Sequence, residues 1–145
     1  MAEPQPTGSR ILLVDDFDDA RDMYAEFLSS SGHYVLAVGD GQAALEAAER
    51  ERLDLIILDI ALPKLDGITV IKMLRLREAT KETPIITLSA SMEEEVRMAA
   101  VEAGADLALD KPCLPAELET AVRVFLERGD RRSGRDVRKP GKSGQ

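Results

Sequence analysis

Ile11-Leu-Leu-Val-Asp-Asp16 is the most informative stretch of this sequence, because four consecutive apolar residues run directly into two carboxylates. Leu55-Ile-Ile-Leu-Asp59 and Ile85-Ile-Thr-Leu-Ser89 repeat the pattern of a short apolar run that ends in a polar side chain. Continuous runs rich in Ile, Leu and Val are typical of strands that are buried on both faces of a parallel sheet. Two weaker runs, residues 34–38 and 107–109, complete a set of five predicted strands.

The segments between these runs have helical periodicity. In residues 17–31, Met23, Phe27 and Leu28 share one face and predict the side that packs on the core, and Gly32 follows as a stop. Alternating strands and helices indicate an α/β fold with a parallel sheet, right-handed crossovers and helices on both faces. Five strands can take the order 2-1-3-4-5.

Residues at the helix ends support this division. Asp66 is a predicted N-cap of the third helix. Ser91-Met-Glu-Glu94 has the pattern of a capping box ahead of the fourth helix. Pro115 stands where the first turn of the fifth helix would begin.

Polar side chains occupy the carboxyl ends of the predicted strands. The first strand ends in Asp15 and Asp16, the third in Asp59 and the fourth in Ser89, and the fifth leads into Lys111. In open α/β sheets, ligands bind outside the carboxyl ends of the strands, at the point where the strand order reverses. The order 2-1-3-4-5 makes the first and third strands neighbours there, so these side chains are expected to converge in one crevice.

These residue types suit Mg²⁺-assisted transfer of a phosphoryl group. Clustered carboxylates are unfavourable unless their charge is neutralised, and Mg²⁺ binds one or two carboxylates together with waters and phosphate oxygens. Lys111 offers a positive charge and Ser89 a hydroxyl donor for phosphoryl oxygens. A carboxylate can act as the nucleophile, and Asp59 is the candidate because it stands alone at its strand end. The pair Asp15 and Asp16 is the candidate metal site.

Each of these residues also has a purely structural interpretation. Asp16 could cap the first helix, Asp59 could form an Asx-turn, Ser89 could be a polar loop residue and Lys111 could be solvated. Taken singly, these interpretations are at least as good as the functional ones. Their joint occurrence at four strand ends favours the shared site.

Composition restricts the function further. The formal net charge of −8 and the 3% aromatic content argue against general binding of nucleic acid. No apolar run is long enough to cross a bilayer, so membrane insertion is not expected, and the N-terminus lacks a secretory signal. The single cysteine, Cys113, permits no internal disulfide and is interpreted as a packing residue, which fits a cytoplasmic protein. The single histidine, His33, is interpreted as a surface residue.

The sequence predicts one domain with two short extensions. Residues 9–128 contain all five strand–helix units, whereas residues 1–8 and the basic segment 129–145 are rich in Gly, Pro, Ser and charge and are predicted to be disordered. Too few residues follow the fifth helix for an output domain, so a stand-alone module is expected.

Residues 9–128 resemble the receiver domain of bacterial response regulators, of the single-domain type. The segments that carry the resemblance are Ile11-Leu-Leu-Val-Asp-Asp16, Leu55-Ile-Ile-Leu-Asp59-Ile-Ala-Leu-Pro63, Leu65-Asp-Gly67, Thr87-Leu-Ser-Ala90, Gly104-Ala-Asp106 and Asp110-Lys-Pro112. The resemblance implies the flavodoxin-like sheet order 2-1-3-4-5 and a two-component or phosphorelay function. It implies that the protein promotes its own phosphorylation and dephosphorylation and does not turn over external substrates.

The resemblance also implies a role for each site residue. Asp15, Asp16, Asp59 and the backbone carbonyl of Ala61 would hold Mg²⁺. Asp59 would accept the phosphoryl group from a phosphohistidine on a histidine kinase or a histidine phosphotransfer protein. Ser89 and Lys111 would act on the phosphoryl group together with Asp59, and both would bind its oxygens. Phosphorylation would then change the binding of a protein target.

Three positions depart from the family pattern, and two of them bear on the output: Ala108, and Cys113 in place of the Phe or Tyr that usually follows Lys-Pro. The family places Tyr or Phe three residues before the lysine, and here that position is Ala108. Asp110 is an unusual acidic neighbour of Lys111, and strand alternation predicts that it points away from the site. A degenerate receiver that acts as a constitutive protein-interaction module is therefore the alternative. An Asp-dependent phosphohydrolase is disfavoured because Ala61 stands where such enzymes carry a second carboxylate.

Overall fold

The computed structural model describes residues 9–90 and 93–132. Five parallel strands form one sheet in the order β2-β1-β3-β4-β5. The strands are β1 (Arg10–Val14), β2 (Tyr34–Val38), β3 (Leu55–Asp59), β4 (Ile85–Ser89) and β5 (Leu107–Asp110). The helices are α1 (Asp18–Ser30), α2 (Gly41–Arg50), α3 (Gly67–Arg75), α4 (Glu94–Ala103) and α5 (Pro115–Arg132). The predicted fold class and strand order are confirmed, and each strand lies within one residue of its prediction at both ends.

The central strands are buried on both faces, as their continuous apolar runs predicted. Leu12 of β1 and Ile56 of β3 face one core, which α2, α3 and α4 cover. Ile11 and Ile57 face the other, which α1 and α5 cover. All four side chains are fully buried. The sheet is therefore held between two apolar layers, and the polar ends of its strands are left at one edge.

The caps of the second, third and fifth helices follow from their sequences. The side chain of Asp40 accepts a hydrogen bond from the Ala43 N–H of α2 at 2.8 Å, and Asp66 accepts one from the Thr69 N–H of α3 at 3.0 Å. Pro115 is the first residue of α5, as predicted. The capping box was placed wrongly, since Glu93 occupies the N-cap position of α4. Ser91 lies outside the described residues.

The predicted buried face of α1 is confirmed at Leu28 and wrong at Met23 and Phe27. Met23 and Phe27 are 44% and 38% exposed, whereas Tyr24 and Leu28 are buried. The reason is that the Tyr24 ring packs with the α5 side of the core, and its hydroxyl donates to the Cys113 carbonyl oxygen at 2.8 Å. Cys113 is buried in the same cluster, which confirms its packing role.

His33 is not a surface residue. It is buried, with its backbone N–H bonded to the Leu28 carbonyl at the end of α1 and its Nε2 3.7 Å from Glu119 Oε2 of α5. His33 is buried by tertiary packing, because α1 and α5 cover the residue that precedes β2.

Helix α5 runs to Arg132, four residues past the boundary predicted at Arg128. The other residues of the extensions predicted to be disordered, 1–8 and 133–145, lie outside the described residues. Within the described part of the chain, no helix is both long and apolar enough to cross a membrane.

Gly67 permits the close approach of α3 to the end of β3. A Cβ atom at this position would lie 2.7 Å from the Cα of Ile60 and 2.8 Å from the carbonyl oxygen of Asp59. Both neighbours are backbone atoms, so the helix itself would have to move. We expect Gly67→Ala to lower the free energy of unfolding by about 1–3 kcal/mol.

Urea unfolding followed by circular dichroism measures this loss, and the method suits a chain without tryptophan. Gly32→Ala is the control, because Gly32 has a φ of +101° and open space around its missing Cβ, so it reports backbone strain alone. Equal losses in the two variants would contradict the steric explanation.

Candidate functional site

Asp59 and Asp15 are buried carboxylates at the ends of adjacent strands. Asp59 is 5% exposed and Asp15 is fully buried. Asp59 Oδ1 accepts from the Ala61 N–H at 3.0 Å, and Asp15 Oδ1 accepts from the Phe17 N–H at 3.0 Å. One oxygen of each carboxylate is thus fixed by the loop that follows its strand, and the Oδ2 atoms face the crevice between the loops.

Asp16 completes a cluster of three carboxylates. One oxygen from each of Asp15, Asp16 and Asp59 lies within 4.8 Å of the other two, and Asp16 is exposed. An all-oxygen, strongly anionic donor set of this kind fits a hard divalent cation such as Mg²⁺, which takes few carboxylates and keeps waters. The convergence of these residues was predicted from the strand order alone.

Lys111 is the cation that the chain itself places against this cluster. Its Nζ lies 3.0 Å from Asp15 Oδ2 and 3.2 Å from Asp59 Oδ2. The side chain is 20% exposed, so it is not sealed inside the core.

At both Asp59 and Lys111, burial and neighbouring charges shift the pKa in opposite directions. Burial raises the pKa of the Asp59 carboxyl, and the charge of Lys111 only partly offsets this effect. Burial alone would lower the pKa of Lys111, but its hydrogen bond to Asp15 and the charge of Asp59 outweigh burial and raise it. Lys111 is therefore held firmly in its charged form beside a carboxylate that is incompletely neutralised.

Ser89 and Ala61 occupy the remaining predicted positions. Ser89 is the last residue of β4, and its carbonyl oxygen accepts from the Lys111 N–H at 2.8 Å. Ala61 is exposed in the loop after β3 and donates its N–H to Asp59. The structure places both residues at the strand ends of the site, and their roles toward a phosphoryl group and a metal stay predictions.

Asp110 points away from the cluster, as strand alternation predicted. Its two carboxylate oxygens accept from Arg97 Nη2 of α4 at 2.9 and 2.8 Å.

Arg21 is a residue that the sequence reasoning missed. Its Nη1 donates to the Asp15 carbonyl oxygen at 2.9 Å, and its Nη2 donates to Asp18 Oδ1 at 2.6 Å. The guanidinium group therefore braces the loop that carries Asp15 and Asp16. An arginine in the second turn of the helix that follows the acidic pair was the available signal.

Comparison with known proteins finds relatives that match most of this chain. The chain is 40% identical over 123 residues to the alkaline phosphatase synthesis transcriptional regulatory protein PhoP of Bacillus subtilis, a match that covers 85% of this chain and 50% of that protein. The chain thus spans about half the length of the curated relatives that it matches.

Solved receiver domains share its fold. The receiver domain of the sensor histidine kinase PA1611 from Pseudomonas aeruginosa, which has a magnesium ion coordinated in its active-site cleft, is 35% identical with a TM-score of 0.78, over 83% of this chain and 99% of that one. The BeF3-activated DrrB receiver domain is 31% identical with a TM-score of 0.75, over 83% and 98%.

The sequence match is as extensive as the structural one. A family model, the response regulator receiver domain, fits residues 11–123. This range contains all of the sheet except Arg10, the first residue of β1, together with every residue of the acidic cluster and its lysine. The chain belongs to the response regulator receiver domain family of two-component signalling.

Proposed function

We propose that this chain accepts a phosphoryl group on Asp59 in a Mg²⁺-dependent reaction, and that the phosphorylated form changes its binding to a protein target. The observation that carries the proposal is the position of Lys111 Nζ, which bridges Asp15 Oδ2 and Asp59 Oδ2 beside the acidic cluster. A purely structural ion pair would need only one carboxylate. The combination of a nucleophile, a metal donor set and a mobile cation suits phosphoryl transfer.

The proposed donor is a phosphohistidine on a histidine kinase or a histidine phosphotransfer protein. Asp59 Oδ2 attacks the phosphorus atom, a new O–P bond forms, and the P–N bond to the imidazole breaks with its electron pair leaving on nitrogen. The hydrogen bond from the Ala61 N–H holds Oδ1 and so orients the carboxylate for attack. Lys111 moves its charge from Asp59 to the transferred oxygens, where the Ser89 hydroxyl supplies a second donor.

Asp15, Asp16, Asp59 and the Ala61 carbonyl are the proposed ligands of Mg²⁺. When bound, the ion supplies positive charge that offsets both the carboxylates and the phosphoryl group. Support comes from the mutual distances within the carboxylate cluster and from the magnesium in the PA1611 receiver.

The proposed chemistry is confined to Asp59 of this chain. Ala61 provides no carboxylate to act as an acid or base on an external ester, so we propose self-phosphorylation and dephosphorylation without turnover of other substrates.

Acetyl phosphate tests the chemistry without a partner kinase. We expect incubation with acetyl phosphate and Mg²⁺ to add one phosphoryl group, measured by intact-protein mass spectrometry. Chelating the metal with EDTA is expected to prevent the addition, because the three carboxylates then repel the donor. Equal labelling with and without EDTA would contradict the metal assignment.

A constitutive interaction module is the second candidate, and Ala108 is the observation that favours it. The methyl side chain at this position of β5 cannot act as the aromatic switch that the family pattern implies. Under this candidate, a folded protein would take no phosphoryl group, and its partner binding would be indifferent to acetyl phosphate.

A further inference from the structure

Asp110 stands between two groups of the proposed phosphoryl site. In the β4–β5 pairing it is directly opposite Ser89, and it is the covalent neighbour of Lys111. The Lys111 N–H donates to the Ser89 carbonyl oxygen at 2.8 Å, which ties the two strand ends together. A shift of the backbone at Lys111 or Ser89 toward a bound phosphoryl group would therefore displace the backbone at Asp110.

The side chain of Asp110 carries that displacement to the other face of the strand. Both of its oxygens bond Arg97 Nη2, at 2.9 and 2.8 Å, and Arg97 Nη1 donates to the Ala108 carbonyl oxygen at 3.3 Å. Arg97 belongs to α4, so one side chain binds this helix to two alternate residues of β5.

The Arg97–Asp110 ion pair lies where it can break and re-form. The side chains of Arg97 and Asp110 are 35% and 37% exposed, so water can take over their hydrogen bonds when they separate. Both carboxylate oxygens share one guanidinium nitrogen at short distance, so the pair lacks the two parallel bonds of a bidentate fork, and a small movement of the strand end weakens it. A fully buried pair would act as a permanent brace instead.

We infer that the Arg97–Asp110 pair stabilises the unphosphorylated arrangement of α4 and is weakened when the Asp59 site is occupied. Arg97 is thus a positioning residue that acts on Lys111 and Ser89 through Asp110. This inference rests on the proposed phosphorylation of Asp59, and it assigns a route by which that event reaches α4 despite Ala108. Because coupling is reciprocal, breaking the pair must raise the affinity of the site for a phosphoryl group or its analogue.

The test is a titration of the full chain with beryllofluoride in the presence of Mg²⁺, followed by ¹⁵N–¹H NMR. We expect the α4 amides of the wild type to shift at saturation. Arg97→Ala and Asp110→Asn are each expected to bind beryllofluoride about threefold more tightly, a size that suits the loss of a half-exposed ion pair. The charge-swapped variant, Arg97→Asp with Asp110→Arg, also carries Glu94→Gln, because Glu94 Oε1 lies 3.6 Å from Arg97 Nε and would repel the new aspartate. This variant is expected to return the affinity to the wild-type value.

The two single variants separate coupling from a simple field effect. Removing the Arg97 cation would weaken the binding of an anion through the field, whereas removing the Asp110 charge would strengthen it. Only coupling through the Arg97–Asp110 pair raises the affinity for beryllofluoride in both single variants. Arg123→Ala is the matched control, because it breaks another arginine–carboxylate pair, with Glu119 of α5, at 2.6 Å.

Opposite changes in the single variants, affinities within twofold of the wild type, or failure of the swap to restore the affinity would each overturn the inference. So would α4 amides that do not shift in a saturated wild type. A wild type that neither binds beryllofluoride nor is labelled by acetyl phosphate would overturn the proposed function as well, which distinguishes the two failures.

Discussion

Replacing Asp59 with asparagine should leave the protein folded and abolish its labelling by acetyl phosphate and Mg²⁺. The amide keeps the shape of the side chain, and its oxygen can still accept the Ala61 N–H that now bonds Asp59 Oδ1. It lacks the anionic oxygen that attacks phosphorus, so the reaction loses its nucleophile. Intact-protein mass spectrometry at matched times is the measurement, and the variant should stay at the mass of the unmodified chain.

Asp66→Asn is the matched control for this substitution. Asp66 is exposed and caps α3 through the Thr69 N–H, and asparagine is an equally good N-cap. This variant should be labelled at the wild-type rate. Persistent labelling of Asp59→Asn would show that another carboxylate accepts the group, and peptide mapping would then identify it.

The fold and most of the site follow from the sequence because they depend on short-range patterns. Continuous apolar runs such as residues 11–14 occur in strands covered on both faces, and alternation with helices leaves few topologies. Once the order places β1 beside β3, the positions of Asp15, Asp16 and Asp59 follow from where each run ends.

The predictions from sequence are wrong where contacts between elements far apart in the chain decide which of two equally good local arrangements forms. The pattern of α1 allows either Met23 and Phe27 or Tyr24 to join Leu28 at the core, and the aromatic ring with a hydroxyl that reaches the Cys113 carbonyl is the one buried. The burial of His33 likewise depends on α5, which is remote in sequence.

Polar contacts between helices and strand ends could not be predicted from the sequence either. The direction of Asp110 was predictable from strand alternation, but its partner Arg97 was not, because Arg97 belongs to no motif. Such contacts between residues far apart in sequence become apparent only when the packed helices are seen.

Arg75 is a further contact of this kind, and it links three parts of the structure. It is the last residue of α3, and its Nη1 donates to the carbonyl oxygens of Thr80 at 2.9 Å and Thr83 at 2.7 Å in the loop that leads to β4. Its Nη2 donates to the Gly104 carbonyl oxygen at 2.8 Å, at the end of α4, and to Asp106 Oδ2 at 3.1 Å. One guanidinium group therefore satisfies backbone acceptors from two connections at once.

We expect Arg75→Ala to lower the free energy of unfolding by about 2–4 kcal/mol, because partly buried carbonyl groups lose a charged donor and the side chain is only 19% exposed. Urea unfolding followed by circular dichroism is the measurement. Arg75→Lys should lose less, since an ammonium group can reach some of these acceptors but lacks the planar fork that serves both connections.

Arg50→Ala, at an exposed position of α2, is the control for loss of a surface arginine and should leave the urea midpoint nearly unchanged. If Arg75→Ala matched this control, water would have to replace the guanidinium group at the Thr80, Thr83 and Gly104 carbonyls without cost. The two connections would then owe their shape to apolar packing alone. A large loss, in contrast, would show that Arg75 holds the end of α3 remote from Asp59 together with the end of α4.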